Sequence, residues 1–301
     1  MNAGARVGGE ILVIANPVSG GGRGHTLGDK AAALLHERGI AARLAFTTGP
    51  GDGERIAREA LAAGVARFAV AGGDGTVHEV VNALAGSAAV LGLLPCGRGN
   101  DLARVLGVPG EVERAVELLV TGRERRIDLG RVGGRYFATV ASMGFDSEAA
   151  ELVHSGAVPF GGAAGYVYAV LRTLASYKSP QVTIRGDFGE FTGEVLLAAT
   201  GNTSTYGGGM KIAPRAVCDD GLLDLCIVRA LHPVTVLRYF PRIFAGTHEN
   251  LPFVAMHRVR RVSITTSRPI WIYADGEPIC RTPAEIEVVP QALTVLCPAA
   301  G

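Results

Sequence analysis

Apolar and polar positions along the first 130 residues follow a pattern typical of strands that alternate with helices. Short apolar segments predict strands at 10–17, 42–48, 67–73 and 90–95. Amphipathic segments predict helices at 26–38, 51–64, 76–84 and 111–121. This alternation predicts an α/β domain, a parallel sheet with helices on both faces. In such sheets, ligands bind beyond the carboxyl ends of the strands.

The pattern changes after Arg131. Short β-rich segments follow, separated by Gly, Pro, Asp or Asn, and two helical stretches interrupt them at 166–177 and 234–244. These features predict a predominantly antiparallel β-sandwich domain. We therefore expect domains at 1–132 and 133–288. The last segment, 289–301, is compatible with a return of the final strand to the first domain.

Composition excludes several classes of protein. A net charge of +1 over 301 residues gives no general electrostatic case for nucleic acid binding. Five scattered cysteines without a CxxC pair fit a reducing compartment rather than a disulfide framework or a zinc site. The N-terminal residues lack the apolar core of a signal peptide. The sequence contains no run of about 18 apolar residues, so it predicts no transmembrane segment.

Glycine clusters at 20–24, 72–75 and 97–99 follow three predicted strands, so all three are expected at one edge of the sheet. Neither GxxxxGK[ST] nor GxGxxG occurs among the 42 glycines, which excludes the P-loop and the dinucleotide fingerprint. Such turns can present backbone N–H groups to a phosphate. The alternative is that each turn is an ordinary connection. Only three lysines occur, so anion binding would depend on arginine or on backbone amides.

Carboxylates accompany these turns at Asp74 and Asp101, and Asp128 ends the segment "RRIDLG". Together they could hold Mg²⁺ directly or through water. The alternative for each is a helix cap or a turn former. That alternative fits Asp101 best, since "GND" resembles a helix start. It fits Asp74 least, since Thr76 is available as a cap.

The segment "YADGEPI" places Asp275 and Glu277 on either side of Gly276. Asp-Gly between two strands is a strong signal for a hairpin turn. A carboxylate just beyond that turn could also accept the proton of an attacking hydroxyl. The spacing leaves both interpretations of Glu277 open.

These motifs together resemble the diacylglycerol kinase-like lipid kinases, the superfamily that includes bacterial diacylglycerol kinases and sphingosine and ceramide kinases. "GGDGT" alone also occurs in NAD kinases and phosphofructokinases, whereas the ordered set is specific. The matching segments are "NPVSGGGRG" at 16–24, "TTGPGDG" at 47–53, "GGDGTVHEVVNAL" at 72–84, "PCGRGNDLARVLG" at 95–107, "IDLGRV" at 127–132, "APRAVCDDGLLDLCIV" at 213–228 and "DGE" at 275–277.

The resemblance implies an α/β nucleotide-binding domain, a β-sandwich lipid-substrate domain, and ATP with Mg²⁺ as cofactors. It implies Glu277 as the general base, Asp275 as its support and Asp74 at the magnesium–phosphate end, with Asp128 in the surrounding polar network. It further implies a structural magnesium site at Asp219 and Asp220. The implied nucleotide contacts are Asn16, Ser19, Gly20, Thr48, Gly72, Gly73, Asp74, Gly75, Thr76, Gly97, Asn100, Asp101 and Arg104.

The chain departs from the family pattern at two places. Several members carry a lysine where this chain has Gly21, so Arg23 is the candidate replacement. Bacterial members often read "PDAKLDDG", whereas this chain has Arg215 and Cys218 in that motif. The second departure puts the implied structural magnesium site in doubt.

The implied reaction transfers the γ-phosphoryl group of ATP to a lipid hydroxyl, with diacylglycerol as the preferred acceptor. A soluble-substrate kinase of the NAD kinase type and a non-catalytic nucleotide-binding regulator are the alternatives. The resemblance implies a cytoplasmic enzyme acting at the inner face of a membrane, and a homodimer is compatible with it. The apolar segment 155–168 and the basic strand 257–264 are candidate membrane contacts. A buried helix start and a solvated sheet face are their respective alternatives.

Overall fold

A computed structural model describes residues 9–154, 157–158 and 162–299. The chain divides into two compact units, with the divisions between Ile127 and Asp128 and between Pro290 and Gln291. The candidate membrane segment 155–168 lies partly outside the described residues.

Parallel strands form the sheet of the first unit, in the order β2-β1-β3-β4 followed by the end of β15. In β15, Thr294 and Val295 pair in parallel with Val90 and Leu91. The strands are β1 (Ile11–Ala15), β2 (Ala42–Phe46), β3 (Arg67–Gly72), β4 (Val90–Pro95) and β15 (Ala284–Cys297).

Five helices accompany this sheet. They are α1 (Ser19–Glu37), α2 (Asp52–Ala62), α3 (Asp74–Leu84), α4 (Asp101–Val105) and α5 (Val112–Thr121). Helix α1 packs with α5, and α2 packs with α3. Alternate residues of β1 point to opposite faces, and all of them are buried. The predicted parallel sheet with helices on both faces is confirmed.

Helix starts differ from the sequence-based expectation. The range of α1 begins at Ser19 rather than near residue 26, but Gly20, Gly21 and Gly22 have positive φ angles of 63°, 74° and 94°, so the chain is kinked there and the regular right-handed helix starts only after Gly22. Helix α3 begins two residues earlier than expected, and α4 was not predicted. Each difference falls at a glycine-rich turn, where propensity argues against helix.

Antiparallel strands make up most of the second unit, and the 13-residue β9 belongs to two layers. One layer includes β8 and β12, and the other includes β7, β10 and β13. The strands are β5 (Arg123–Val132), β6 (Arg135–Phe137), β7 (Val140–Gly144), β8 (Gln181–Gly186), β9 (Gly189–Gly201), β10 (Leu223–Arg229), β11 (Val254–Val259), β12 (Arg261–Thr266), β13 (Trp271–Ala274) and β14 (Glu277–Arg281).

Buried apolar side chains from both layers form one core, with Ile184 from the first layer and Ile227 and Ile272 from the second. The predicted antiparallel sandwich is therefore confirmed. The basic strand expected at 257–264 is wrong as one element. It divides into β11 and β12 at Arg260, whose backbone N–H donates to Asp187 at 2.8 Å.

Four helices of the second unit are α6 (Phe145–His154), α7 (Gly162–Ser176), α8 (Pro233–Tyr239) and α9 (Pro241–Ala245), and a 3-10 turn covers His248–Asn250. Helix α6 was not predicted. The single helix expected at 234–244 is interrupted at Pro241, because proline lacks the backbone N–H that would continue the ladder. No helix in the described part of the chain has the length and apolarity needed to cross a bilayer.

Candidate active site

Three glycine-rich loops meet at the carboxyl edge of the first unit's sheet. A methyl group on Gly97 would lie 2.6 Å from the Cα atom of Gly73. A methyl group on Gly20 would lie 2.3 Å from the carbonyl oxygen of Cys96. Only glycine allows backbones to approach this closely. The structure therefore brings together the three clusters that the sequence placed at one edge.

The loop after β1 folds back on the end of that strand. The Ser19 backbone N–H donates to the Asn16 carbonyl oxygen at 3.1 Å. Arg23 donates through Nε to the Gly20 carbonyl oxygen at 2.9 Å, so its guanidinium lies beside the glycine turn. Arg23 is thus in place to supply the positive charge that a lysine at position 21 would have carried.

Asn16 connects the first loop to the second. Its Nδ2 donates to Thr76 Oγ1 at 3.1 Å. Thr76 is buried and makes no capping hydrogen bond at the start of α3. The expectation that Thr76 caps its own helix is wrong, because its hydroxyl serves as the acceptor for Asn16.

Asp74 connects the second loop to the third. Its Oδ1 accepts the backbone N–H of Asp101, and its Oδ2 accepts that of Asn100, both at 2.7 Å. The carboxylate therefore caps the start of α4. The cap alternative, which fitted Asp74 least on sequence grounds, is therefore realised, but for a helix other than its own.

The third loop holds itself in shape through its own side chains. Asn100 has a left-handed backbone, with φ at 50°. Its amide accepts from the Gly97 N–H and donates to the Gly97 carbonyl, both at 2.8 Å. Arg104 pairs with the buried Asp101 at 2.5 Å and donates to the Gly99 carbonyl at 2.6 Å. The Gly97 N–H is thus occupied within the loop.

Glu79 has a role that sequence reasoning missed. Its two carboxylate oxygens accept the backbone N–H groups of Gly51 and Gly53 at 2.7 and 2.8 Å. These contacts fix the loop that carries Thr48, whose own N–H and hydroxyl donate to Asp52. The hydrogen bonds from Thr48 lower the pKa of Asp52 to about 2. The available signal was the Glu79 carboxylate within the same "GGDGTVHEVV" motif as Asp74.

The remaining predicted metal ligands belong to the second unit. The buried Asp128 accepts the Gly221 N–H through Oδ2 at 2.7 Å. Asp220 pairs with Arg258 through Oδ2 and accepts the Leu222 N–H through Oδ1 at 3.1 Å.

Metal-ligand clusters are absent from the described residues. No three or more His, Cys, Asp or Glu side chains there form a group that could hold a metal ion. Asp74, Asp101 and Asp128 are therefore not gathered into one ligand set, and Asp219 and Asp220 are not part of one. Asp128 and Asp220 instead hold the 220–222 turn.

Glu277 follows a two-residue hairpin turn between β13 and β14. Asp275 and Gly276 have φ angles of 51° and 87°, the left-handed values typical of such turns. Asp275 accepts the backbone N–H groups of Ala138 and Thr139 at 2.9 and 2.8 Å, and the Thr139 hydroxyl at 2.6 Å. Glu277 is half-buried, and within the described residues its side chain makes no hydrogen bond or ion pair. Asp275 is thus committed to local structure, whereas Glu277 is available.

The second unit also contains an apolar pocket that the sequence did not predict, and its space is about 770 Å³ when the solvent at its open mouth is included. Its walls include Phe145, Ala149, Leu196, Leu197, Val236 and Ile243.

Four polar side chains lie among the pocket's lining residues: Asp146, Tyr206, Tyr239 and His248. Asp146 accepts the Tyr206 hydroxyl at 3.1 Å and the Ser147 N–H at 2.9 Å, and burial raises the pKa of Asp146. Burial lowers the pKa of His248. The lining is therefore mainly apolar with a few polar groups, as sites for largely aliphatic ligands are.

Family comparisons cover both units. Residues 10–132 match the family described as "Diacylglycerol kinase catalytic domain", and residues 139–297 match "YegS C-terminal NAD kinase beta sandwich-like domain". A diacylglycerol kinase of Mycobacterium tuberculosis is 35% identical over 300 residues, covering 97% of this chain and 96% of that protein. A probable lipid kinase YegS-like protein of Chromohalobacter salexigens is 36% identical, covering 89% of this chain and 88% of that protein.

Solved structures give a consistent result. The crystal structure of a diacylglycerol kinase from Bacillus anthracis str. Sterne matches with a TM-score of 0.74 and 25% identity. The match covers 95% of this chain and 96% of that one. The sequence matches and this structural match agree over both units, and they show that this chain belongs to the diacylglycerol kinase family of lipid kinases.

Proposed function

We propose that the protein transfers the γ-phosphoryl group of ATP to the hydroxyl of a lipid, with diacylglycerol as the acceptor and phosphatidic acid as the product. The observation that carries this proposal is the apolar pocket of the second unit. A dinucleotide acceptor would need a large polar site, whereas a mainly apolar lining with a few polar side chains fits an acyl chain.

The three glycine-rich loops of the first unit hold the nucleotide in this proposal. The N–H groups of Gly75 and Thr76 lie in the first turn of α3, where a helix supplies them with no partner. Together with Gly20, Gly72 and Gly73, they form the surface that contacts the phosphates. Ser19 and Gly97 act by shaping their loops, because their own N–H groups are already bonded. The conformations of those loops are held by hydrogen bonds from Asn16, Thr48, Asn100 and Arg104.

Mg²⁺ fits this site as an ion held mainly by the phosphates, with one or two carboxylates. The carboxylates of Asp74 and Asp101 both lie close to Gly99: a methyl group on Gly99 would approach Asp74 Oδ2 at 2.3 Å and Asp101 Oδ2 at 3.3 Å. When bound, the ion neutralises charge on the transferring phosphoryl group. Asp128, Asp219 and Asp220 are outside this role.

Glu277 is the general base of the proposed reaction. It takes the proton of the lipid hydroxyl while the hydroxyl oxygen forms a bond to the γ-phosphorus. The bond from that phosphorus to the β–γ bridging oxygen breaks, and ADP leaves. Asp275 positions Glu277, because its carboxylate fixes the turn that precedes it.

The acyl chain occupies the apolar pocket in this proposal. The half-buried pair of Asp146 and Tyr206 supplies hydrogen bonds to polar atoms of the lipid other than its reacting hydroxyl.

An acceptor assay separates this proposal from its alternatives. Purified protein with Mg²⁺ and γ-labelled ATP is given dispersed diacylglycerol, sphingosine or NAD, and the labelled products are identified by mass spectrometry. Labelled phosphatidic acid is the expected result. Label on NAD, or no transfer to any acceptor under conditions where nucleotide binds, would overturn the proposal in favour of the NAD kinase or the regulator.

A further inference from the structure

Helices α8 and α9 expose large apolar side chains to solvent. Seven such residues are exposed within the described part of the chain, and four of them lie here. Val234 is 66% exposed, Leu237 50%, Phe240 36% and Phe244 48%. Val234, Leu237 and Phe240 follow one another at three-residue spacing along α8 and its C-terminal end, and the Phe244 ring lies 5.7 Å from the Phe240 ring across the break before α9. We call this the α8–α9 face.

Two arginines border the α8–α9 face. The guanidinium carbons of Arg238 and Arg242 lie 5.7 and 5.4 Å from the centre of the Tyr239 ring. Neither guanidinium has a carboxylate within ion-pair distance among the described residues, and 230–248 contains no Asp or Glu. Both positive charges are therefore available to an external anion.

Two of the three arginines in the basic strand that the sequence suggested differ in this respect. Arg258 pairs with Asp220, and Arg261 pairs with Glu285 and Glu287. Because these arginines are already neutralised by acidic neighbours, their attraction for an anionic surface is small.

We propose that the α8–α9 face docks the protein on an anionic lipid bilayer. Exposed apolar side chains beside unpaired arginines are the pattern of an interfacial helix, whose apolar side enters the headgroup boundary while the cations meet lipid phosphates. Val236, Tyr239 and Ile243 from the same two helices line the apolar pocket. Docking would thus place the pocket wall at the membrane that contains its substrate.

A second copy of the chain suits this face less well. A two-fold interface places each patch on its own counterpart, so four guanidiniums would meet with no acidic residue from the segment to offset them. An anionic bilayer supplies the missing negative charge.

Vesicle flotation without nucleotide tests the docking proposal. Wild-type protein should float with phosphatidylcholine vesicles that contain phosphatidylglycerol and should stay behind with pure phosphatidylcholine. Arg238→Gln/Arg242→Gln should bind the anionic vesicles at least tenfold more weakly, because each cation near such a surface contributes about fivefold. Leu237→Ser/Phe244→Ser should weaken binding by about tenfold or more. Raised salt should weaken wild-type binding.

Matched controls lie elsewhere on the chain. Arg43→Gln/Arg114→Gln removes two exposed charges, and Val217→Ser removes an exposed apolar side chain. Both should float like wild type. Wild-type protein that binds no anionic vesicles, or face variants that bind as tightly as the controls, would overturn the proposal. It would also be overturned if the Leu237→Ser/Phe244→Ser variant changed a wild-type dimer to a monomer without changing vesicle binding.

The consequence for catalysis depends on the proposed function, whereas the flotation result does not. Face variants should lose activity on diacylglycerol in vesicles and retain it on short-chain diacylglycerol dispersed in detergent, since no named face variant alters a pocket-lining residue. Wild-type flotation without kinase activity on either substrate would refute the proposed function alone. Equal loss on both substrates would refute the docking role.

Discussion

The Asp74 carboxylate accepts the backbone N–H of Asp101 at 2.7 Å, so a side chain from one glycine-rich loop caps the helix that begins in another. This contact joins the geometry of two loops that are separated in sequence. Asp74 therefore links the two loops, and it is also the carboxylate proposed to face Mg²⁺.

Asp74→Asn tests both functions of that side chain. The amide retains one acceptor for a backbone N–H but loses the charge, so capping should weaken by about 1 kcal/mol. We expect kcat/KM to fall by about 100-fold or more, because charge at the phosphates is lost. Steady-state kinetics and thermal unfolding measure the two effects. Asp29→Asn, an exposed carboxylate on α1, should leave both unchanged. A stable Asp74→Asn variant with full activity would exclude the phosphate role.

The contact between Gly73 and Gly97 predicts a large effect of a single methyl group. Gly97→Ala would place that group 2.6 Å from the Gly73 Cα atom, so the two backbones must separate. We expect a destabilisation of about 1–3 kcal/mol and a loss of nucleotide affinity. Gly49→Ala is the matched control, because no heavy atom lies within 4 Å of its added Cβ. Denaturant unfolding and calorimetric titration with an ATP analogue compare them, and equal behaviour would refute the close approach.

Substitution of Glu79 should change KM for ATP more than kcat. Glu79→Ala removes both acceptors from the Gly51 and Gly53 amides and frees the loop that carries Thr48. We expect KM for ATP to rise several-fold with a smaller change in kcat, since the residue positions a binding loop and does not touch the reacting atoms. Glu59→Ala, on the exposed side of α2, is the control. A fall in kcat alone would show that Glu79 acts in the chemical step.

Sequence patterns predicted the sheet of the first unit well because its strands are continuous apolar runs, as buried parallel strands are. They also placed the three glycine clusters at one edge. They did not show that Asp74 caps α4 or that Glu79 holds the Gly51–Gly53 turn, because those contacts join positions more than 25 residues apart. Periodicity reports which face a residue occupies, whereas such contacts depend on how the loops meet.

The pocket of the second unit could not be predicted from the sequence for a related reason. Its walls come from α6, β9, α8 and α9, and each element reads as ordinary core in isolation. Asp146 was not among the predicted site residues, because it directly follows a strand, where an aspartate commonly forms a turn. Within the described residues, Asp74, Asp101 and Asp128 do not form a three-carboxylate group that could hold a metal ion, and sequence gives the order of carboxylates along the chain but not the distances between them.

The raised pKa of the buried Asp224 makes the free energy of unfolding depend on pH. Burial raises its pKa from 3.8 to about 6, so between these values the unfolded chain ionises before the folded one. The destabilising contribution is therefore absent below about pH 4, grows through pH 6 and is complete above it. Asp224→Asn should gain up to roughly 3 kcal/mol over wild type at pH 8 and little at pH 4. Denaturant unfolding at the two pH values measures this, and a gain that is equal at both would contradict the assignment.

Glu277→Gln tests the central claim most directly, because it removes the proposed base and preserves the shape of the side chain. Single-turnover transfer from ATP to dispersed diacylglycerol should slow by about 100- to 10,000-fold. Calorimetric affinity for an ATP analogue and thermal stability should match wild type. Lipid phosphorylation at the wild-type rate in this variant would contradict the account, because the proton of the lipid hydroxyl would then leave by another route.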